Sequence, residues 1–220
     1  VGNLISVLKN WFNLTLEVSG KDIYMNFIEN EINYNNAENL SEYEELKPSK
    51  EFNSNESFLL KYDEIDNEDY DYGVVFQNKE GIDLSEDNTD KNTNPIQINA
   101  LPLPQKSISG IETAYAFENG GSEKIYAVLY NGLNADNLNL TLNNSELQLL
   151  AIHEKHYNKW FNFRINAITY KWSFKMFAEN VAKIYKKVFA YNRYHVVKSI
   201  NKTQIAEDLF EVEIETDTLT

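Results

Sequence analysis

Two histidines three residues apart, His153-Glu154-Lys155-His156, are the part of this chain that most resembles metal chemistry. The protease motif they resemble needs its histidines four apart, so that both project from one helix face with a glutamate as base. Three apart, with His195 as the only other imidazole, they do not make that site. The run Asp63, Asp66, Asp69, Asp71 offers oxygen ligands but lacks the alternation, the sixth-position Gly and the twelfth-position Glu of a calcium loop, and it reads as a solvated acidic loop. Glu86, Asp87 and Asp90 read the same way. A carboxylate pair for glycoside hydrolysis has no positional signature in so acidic a chain. Gly-x-Ser-x-Gly, phosphate-loop and Gly-x-Gly-x-x-Gly motifs are absent from the sequence. Trp11, Trp160 and Trp172 have two readings, a sugar-stacking platform or core aromatics of a β-rich fold. No catalytic, cofactor-binding or metal residue is assigned, and no cofactor is expected.

Composition narrows the classes further. The net charge is −14 over 220 residues, against which a general nucleic-acid-binding role is disfavoured. Lys183, Lys186, Lys187, Arg193, Lys198 and Lys202 form a local basic island, read as a solvated face. Cysteine is absent, which removes disulfides, thiolate metal sites and thiol nucleophiles. No apolar run reaches membrane-spanning length, and residues 1–18 lack the basic and small-residue marks of a signal peptide. The chain opens on Val directly in a helical pattern, so either a trimmed chain or a segment of a longer protein is expected.

Elements follow from periodicity. Leu4, Leu8, Trp11 and Phe12 form a helical stripe over residues 3–12. Residues 14–18 and 23–28 read as strands around a Ser19–Asp22 turn. A short helical turn is expected within 38–47, ended by Pro48. Residues 57–62 and 72–76 read as paired strands. Residues 83–106, polar and punctuated by Pro95, Pro102 and Pro104, read as a linker or long loop. Residues 112–118 and 123–130 read as a hairpin turning at Asn119–Ser122, with a further turn at Asn131-Gly132. Residues 138–142 alternate, 147–152 fit strand or helix, and 160–174 should hold a strand or two. Phe177, Val181, Ile184 and Tyr185 predict a helix near 175–186. Lys187 to Thr216 reads as two long strands joined by a polar turn at 204–208, with Val196, Lys198, Ile200 and then Phe210, Val212, Ile214 alternating with polar residues. The fold class is therefore α+β and β-dominated: antiparallel sheets or small partly closed barrels with two short helices. Two lobes are expected, 1–82 and 107–220.

The ending from Ala190-Tyr-Asn-Arg-Tyr-His-Val-Val-Lys-Ser-Ile200 through Leu209-Phe-Glu-Val-Glu-Ile-Glu-Thr216 resembles the endings of baseplate-hub-type tail proteins of phages and prophages of Bacteroidetes-like bacteria. The order helix, "FNL" at 12–14, strand, turn, strand is similar as well, and so is the strand at 57–62 leading into an acidic loop. The likeness covers roughly 1–80 and 165–220. It implies a non-enzymatic virion tail component, assembled in the bacterial cytoplasm. Such a protein oligomerises as a trimer and joins the tail tube to tip proteins. Its expected partners are copies of itself and other tail proteins, with no specific nucleic acid. Pairing of sheet edges between copies makes Tyr194, Val196, Lys198, Ile200, Phe210, Val212 and Ile214 the candidate inter-subunit positions. The alternative from another class is a carbohydrate- or surface-binding β-domain.

Overall fold

The computed structural model describes residues 2–33, 35–44, 47–52, 56–63, 72–85, 93–103, 105–108, 110–114, 125–135, 139–181, 183–184 and 186–219. In chain order, helix α1 (Gly2–Phe12) leads into strands β1 (Leu14–Ser19) and β2 (Asp22–Phe27). Short strands β3 (Glu38–Asn39) and β4 (Ser49–Phe52) flank a 3-10 turn at Ser41–Tyr43. Then come β5 (Ser57–Tyr62), β6 (Val74–Asn78), β7 (Gly81–Asp83), β8 (Thr93–Ile98) and β9 (Leu101–Pro102). They are followed by β10 (Gln105–Ile108), β11 (Ile111–Ala114), β12 (Tyr126–Ala127), β13 (Tyr130–Leu133) and β14 (Asn139–Thr141). Helix α2 (Leu149–Ile152), a π-helical turn (His153–Tyr157) and α3 (Asn158–Asn166) run without a break into β15 (Ile168–Phe177), after Ala167. The chain closes with α4 (Ala178–Val181), β16 (Lys187–Ala190), β17 (Arg193–Ala206) and β18 (Leu209–Thr218). The fold is β-dominated as expected, built of open antiparallel and mixed sheets, with no closed barrel among the described residues.

The chain divides into two compact units, Val1–Phe27 with Ser57–Asn158, and Ile28–Glu56 with Lys159–Thr220. This differs from a division at 83–106. Of that stretch, 86–92 and 104 lie outside the described residues, and Thr93–Ile98 is a strand inside the first unit, paired in parallel with β5. Pro95 fits because β8 is the edge of the sheet ordered β7-β6-β5-β8, where a missing N–H breaks no ladder. The partner of β8 lies 36 residues upstream, so local polarity hid a strand defined by a distant one.

In the first unit, Leu60 and Tyr62 of β5 share a sheet face with Val75 and Gln77 of β6. Helices cover that face. Trp11 of α1 meets Tyr62 edge-on at 5.7 Å, the Tyr62 hydroxyl donates to the Leu147 carbonyl, and His153 bonds Gln77 at 2.6 Å. The buried face of α1 is Val7 and Trp11; Leu4 and Phe12 of the expected stripe are exposed. Asn13 stops α1 at φ 50, a left-handed conformation that asparagine tolerates. The hairpin expected at 112–130 falls largely outside the described residues. Residues 111–114 pair with 105–108, Tyr126–Ala127 pair with Leu101–Pro102, and 115–124 lie outside the described residues. Asn131-Gly132 is not a turn but an irregularity inside β13, with Gly132 at φ 83.

The second unit is one six-stranded sheet ordered β3-β16-β17-β18-β15-β4. Tyr170, Trp172, Phe174 and Met176 of β15 join Val212 and Ile214 of β18, and Val188 and Ala190 of β16, in a core closed by Leu40, Val181 and Ile184. Strict alternation carries β15 on to Phe177, so the helix expected at 175–186 shrinks to α4, and Tyr185 lies outside the described residues. Of residues 160–174, expected to hold a strand or two, those up to Asn166 are helix and those from Ile168 are strand β15.

The stretch 187–206 is two strands, not one. Tyr191 and Asn192, at φ 50 and 57, form a two-residue hairpin turn between β16 and β17, the double positive φ that a type I′ turn requires. Tyrosine is unusual there. Its ring packs edge-on against Trp172 at 5.4 Å, and its N–H donates to Glu44 Oε1 at 2.5 Å, which hold it in place. Asn192→Val puts a β-branched residue at that φ and is expected to lower stability by about 1–2 kcal/mol, whereas Asn192→Gly is expected to stay within about 0.5 kcal/mol. Urea midpoints of the two variants check this.

Candidate functional site

The terminal strands bring the candidate positions together in the second unit. β18 is hydrogen-bonded along both edges, to β15 from Leu209 to Thr218 and to β17 over most of its length. Val212 and Ile214 are wholly or almost wholly buried in the unit's own core, Val196 is buried, and Phe210 and Ile200 pack against that core. These side chains build the sheet. Tyr194 and Lys198 point outward, Tyr194 with its ring 4.9 Å from Phe189.

What the sheet leaves open is a backbone edge. β16 covers only Arg193 to Val196 of β17, with one further bond from Val197 N–H to the Lys186 carbonyl. From Lys198 to Ala206, β17 pairs with β18 on one side and, among the described residues, with no strand on the other. Nearly all of this stretch is exposed on both faces. A row of unused N–H and C=O groups of this kind is a template for another strand.

A bulge at Lys198 sets the geometry of that edge. Register shifts between Val197 and Ser199, so Val197 and Ile200 both reach the core face. The strict alternation read through Val196, Lys198 and Ile200 is broken there. The bulge turns Lys198 into a charged network on the opposite face. Lys198 Nζ lies 3.0 Å from Glu215 and 3.7 Å from Asp217. Arg164 donates to Asp217 at 2.6 Å and to Glu56 at 2.8 Å, and the Thr169 hydroxyl donates to Asp217 at 2.7 Å. Asp217 is fully buried. Lys171 lies 2.9 Å from Glu51 and 3.7 Å from Glu215. The hydrogen bond from Lys198 holds the Glu215 carboxyl below its usual range, helped by Lys171. Beside the network, a depression is lined by Lys171, Ser173, Ser199, Asn201, Glu213 and Glu215, next to the open edge.

The other candidate chemistry dissolves into structure. His153 is buried on Gln77, and burial pushes its imidazole down to about 4. His156 stacks on Phe27 at 5.8 Å and meets Phe12 edge-on at 5.4 Å. His195 is buried between the Ala190 carbonyl at 3.1 Å and the Thr216 hydroxyl at 2.9 Å, and burial again lowers it to about 4. No group of three metal-ligating side chains occurs among the described residues. Asp63 accepts from Gln97 at 3.1 Å, and the rest of the acidic runs, within 64–71 and 86–92, lies outside the described residues. Trp11 and Trp172 are buried, and Trp160 stacks on Phe163 at 5.6 Å, so the tryptophans form no exposed platform. Five of the six side chains of the basic island, Lys198 among them, are bonded within the second unit. Lys183 bonds Asn180, Lys187 bonds the Asn33 carbonyl, Lys202 bonds the Val181 carbonyl and Arg193 bonds the Leu219 carbonyl. No described helix is long and apolar enough to cross a membrane.

Sequence reasoning missed two features. The Arg164–Asp217 pair joins residues 53 apart and leaves no local pattern. The β1–β2 ribbon was read as a hairpin, but the exposure of its apolar face was not; the signal was the alternation Leu14, Leu16, Val18 continued by Ile23, Met25, Phe27. Comparison of the chain with family models, curated proteins and solved structures gives no match.

Proposed function

We propose that this protein is a structural component of a phage or phage-like tail tip, a baseplate-hub-type subunit that joins the tail tube to tip proteins by oligomerising through the open edge of β17. The observation that carries the reading is that edge: nine residues, 198–206, long enough to seat a strand of ordinary length and backed by a sheet with a complete core. The resemblance of the terminal strands to hub-type endings supplies the context. The net charge of −14 suits a conduit wall that should not retain passing DNA. In this reading the subunit works in the virion tail after assembly in the bacterial cytoplasm, as a trimer.

Proline substitution tests the edge. Successive residues of a strand aim their N–H groups at opposite edges, so of Asn201→Pro and Lys202→Pro one removes an outward donor and spares the bonds to β18. That variant is expected to keep its circular dichroism and unfolding midpoint while losing assembly. Both variants assembling like the parent would overturn the edge as the contact.

A further inference from the structure

The β1–β2 ribbon pairs Leu14 with Phe27, Leu16 with Met25 and Val18 with Ile23. Cross-strand partners and residues two apart share a face, so these six side chains form one apolar surface. Thr15, Glu17, Ser19, Asp22, Tyr24 and Asn26 take the other. The two strands form a sheet of their own, joined to no other strand among the described residues. The base of the ribbon is anchored: Leu14 is buried, Phe27 stacks on His156, and the neighbouring Asn13 bonds the His156 carbonyl at 2.8 Å. The tip is not. Towards it Leu16 is 39% exposed, Met25 39%, Ile23 53% and Val18 71%, and Phe27 at the base still exposes 43%.

We infer that this face is a contact between copies of the chain, two ribbons stacking face to face at the usual spacing of packed sheets, about 10 Å. Several features of the ribbon argue for a second copy. A two-stranded ribbon is marginal by itself in water and gains most from a second layer. The face carries no charge and no hydrogen-bonding side chain, so its complement is an apolar β surface of the same size, and every copy brings one. Five half-exposed side chains of this kind leave on the order of 500 Å² in water per copy. Pairing them removes about 1,000 Å², which reaches the lower bound for a specific interface. The contact uses a different surface from the β17 edge and does not depend on the hub reading.

The test is light scattering across a concentration series on the whole chain, with a double variant at the tip, V18K/I23K. Both positions are more than half exposed, so folding does not rest on them. Two ammonium groups brought into the contact are expected to weaken association about 100-fold or more, and Glu17→Lys with Asp22→Lys on the polar face is expected not to. The chain has no cysteine, so Leu16→Cys at the centre of the face reports only contacts between copies. A bismaleimide with a spacer matched to the roughly 10 Å between stacked sheets, which a direct disulfide would not span, is expected to give a covalent dimer of the folded protein. The inference is overturned if the tip variant associates like the parent and the Leu16→Cys protein stays monomeric with the cross-linker. It is also overturned if the wild type is monomeric but binds zwitterionic lipid vesicles that the tip variant does not, which makes lipid the occupant. Proline variants that both assemble like the parent, while the Leu16→Cys protein still cross-links, sink only the hub reading; loss of assembly in a proline variant, with no cross-link of the Leu16→Cys protein, sinks only this one.

Discussion

Asp217→Ala is expected to destabilise the protein by about 3–5 kcal/mol, the range for breaking a buried ion pair from one side. The carboxylate is wholly inaccessible and sits at the centre of a network, with Arg164 at 2.6 Å on one oxygen and Thr169 at 2.7 Å on the other. Its removal leaves the Arg164 guanidinium, about one-fifth exposed, with Glu56 as its remaining carboxylate, and strips the Thr169 hydroxyl of its acceptor. Asp217→Asn keeps the shape and an acceptor for Thr169, so it is expected to cost less, about 1–3 kcal/mol. Glu56→Gln, at the partly exposed end, is expected to cost about 1 kcal/mol or less. Urea unfolding followed by tryptophan fluorescence orders the three. An Asp217→Ala variant within about 0.5 kcal/mol of the parent would show that the network is not coupled to folding.

Mild acid is expected to weaken both units. His195 and His153 are buried with folded values near 4, against an ordinary value of 6.5. As pH falls through 6.5 the unfolded chain takes up these protons first, so stability is complete above about 6.5 and falls until about 4. Each shift is worth roughly 3 kcal/mol across that window. In His195 the geometry explains the resistance. The Ala190 carbonyl can only accept, so Nε2 carries the proton and Nδ1 accepts from the Thr216 hydroxyl, with Tyr170 and Trp172 rings at 5.0 and 5.5 Å. A second proton would put charge into that core. The Glu215 carboxylate acts lower, since a depressed carboxyl loses its contribution only below its ordinary value of 4.5. Between pH 6.5 and 5 the slope therefore belongs to the histidines. His195→Gln is expected to be less stable at pH 7 yet to have a flatter melting temperature profile from pH 7 to 5. An unchanged profile would remove His195 as its source.

Much of the fold was legible because so much of it is local. Helix α1, the β1–β2 ribbon, the β5–β6 pair and the β17–β18 hairpin join residues close in sequence, and period and turn chemistry located them. The strand at Thr93–Ile98 was not legible, because its polar and proline-bearing sequence is made a strand by β5. The run from Leu149 to Asn166 hid its helix behind a π-helical turn. That turn adds a residue between Ile152 and Tyr157, so the buried positions Leu149, Ile152, Tyr157, Phe161 and Ile165 do not fall on one simple period. Of the candidate site, the strands were readable but their roles were not. Alternation marks Val212 and Ile214 as facing something, and a sequence does not say whether that is the unit's own core or a neighbour. Only the ladder shows that β18 is filled on both sides and β17 is not.

The most direct test of the central claim is the solution mass of the chain by size-exclusion chromatography with light scattering, over a wide concentration range, for the wild type and for V18K/I23K. A hub subunit assembling through the β17 edge is expected to give three copies of the 25.6 kDa chain or a larger ring, and to keep assembling when the ribbon tip is charged. A mass of 25.6 kDa at every concentration, or a dimer that disappears with the tip substitutions, would contradict it.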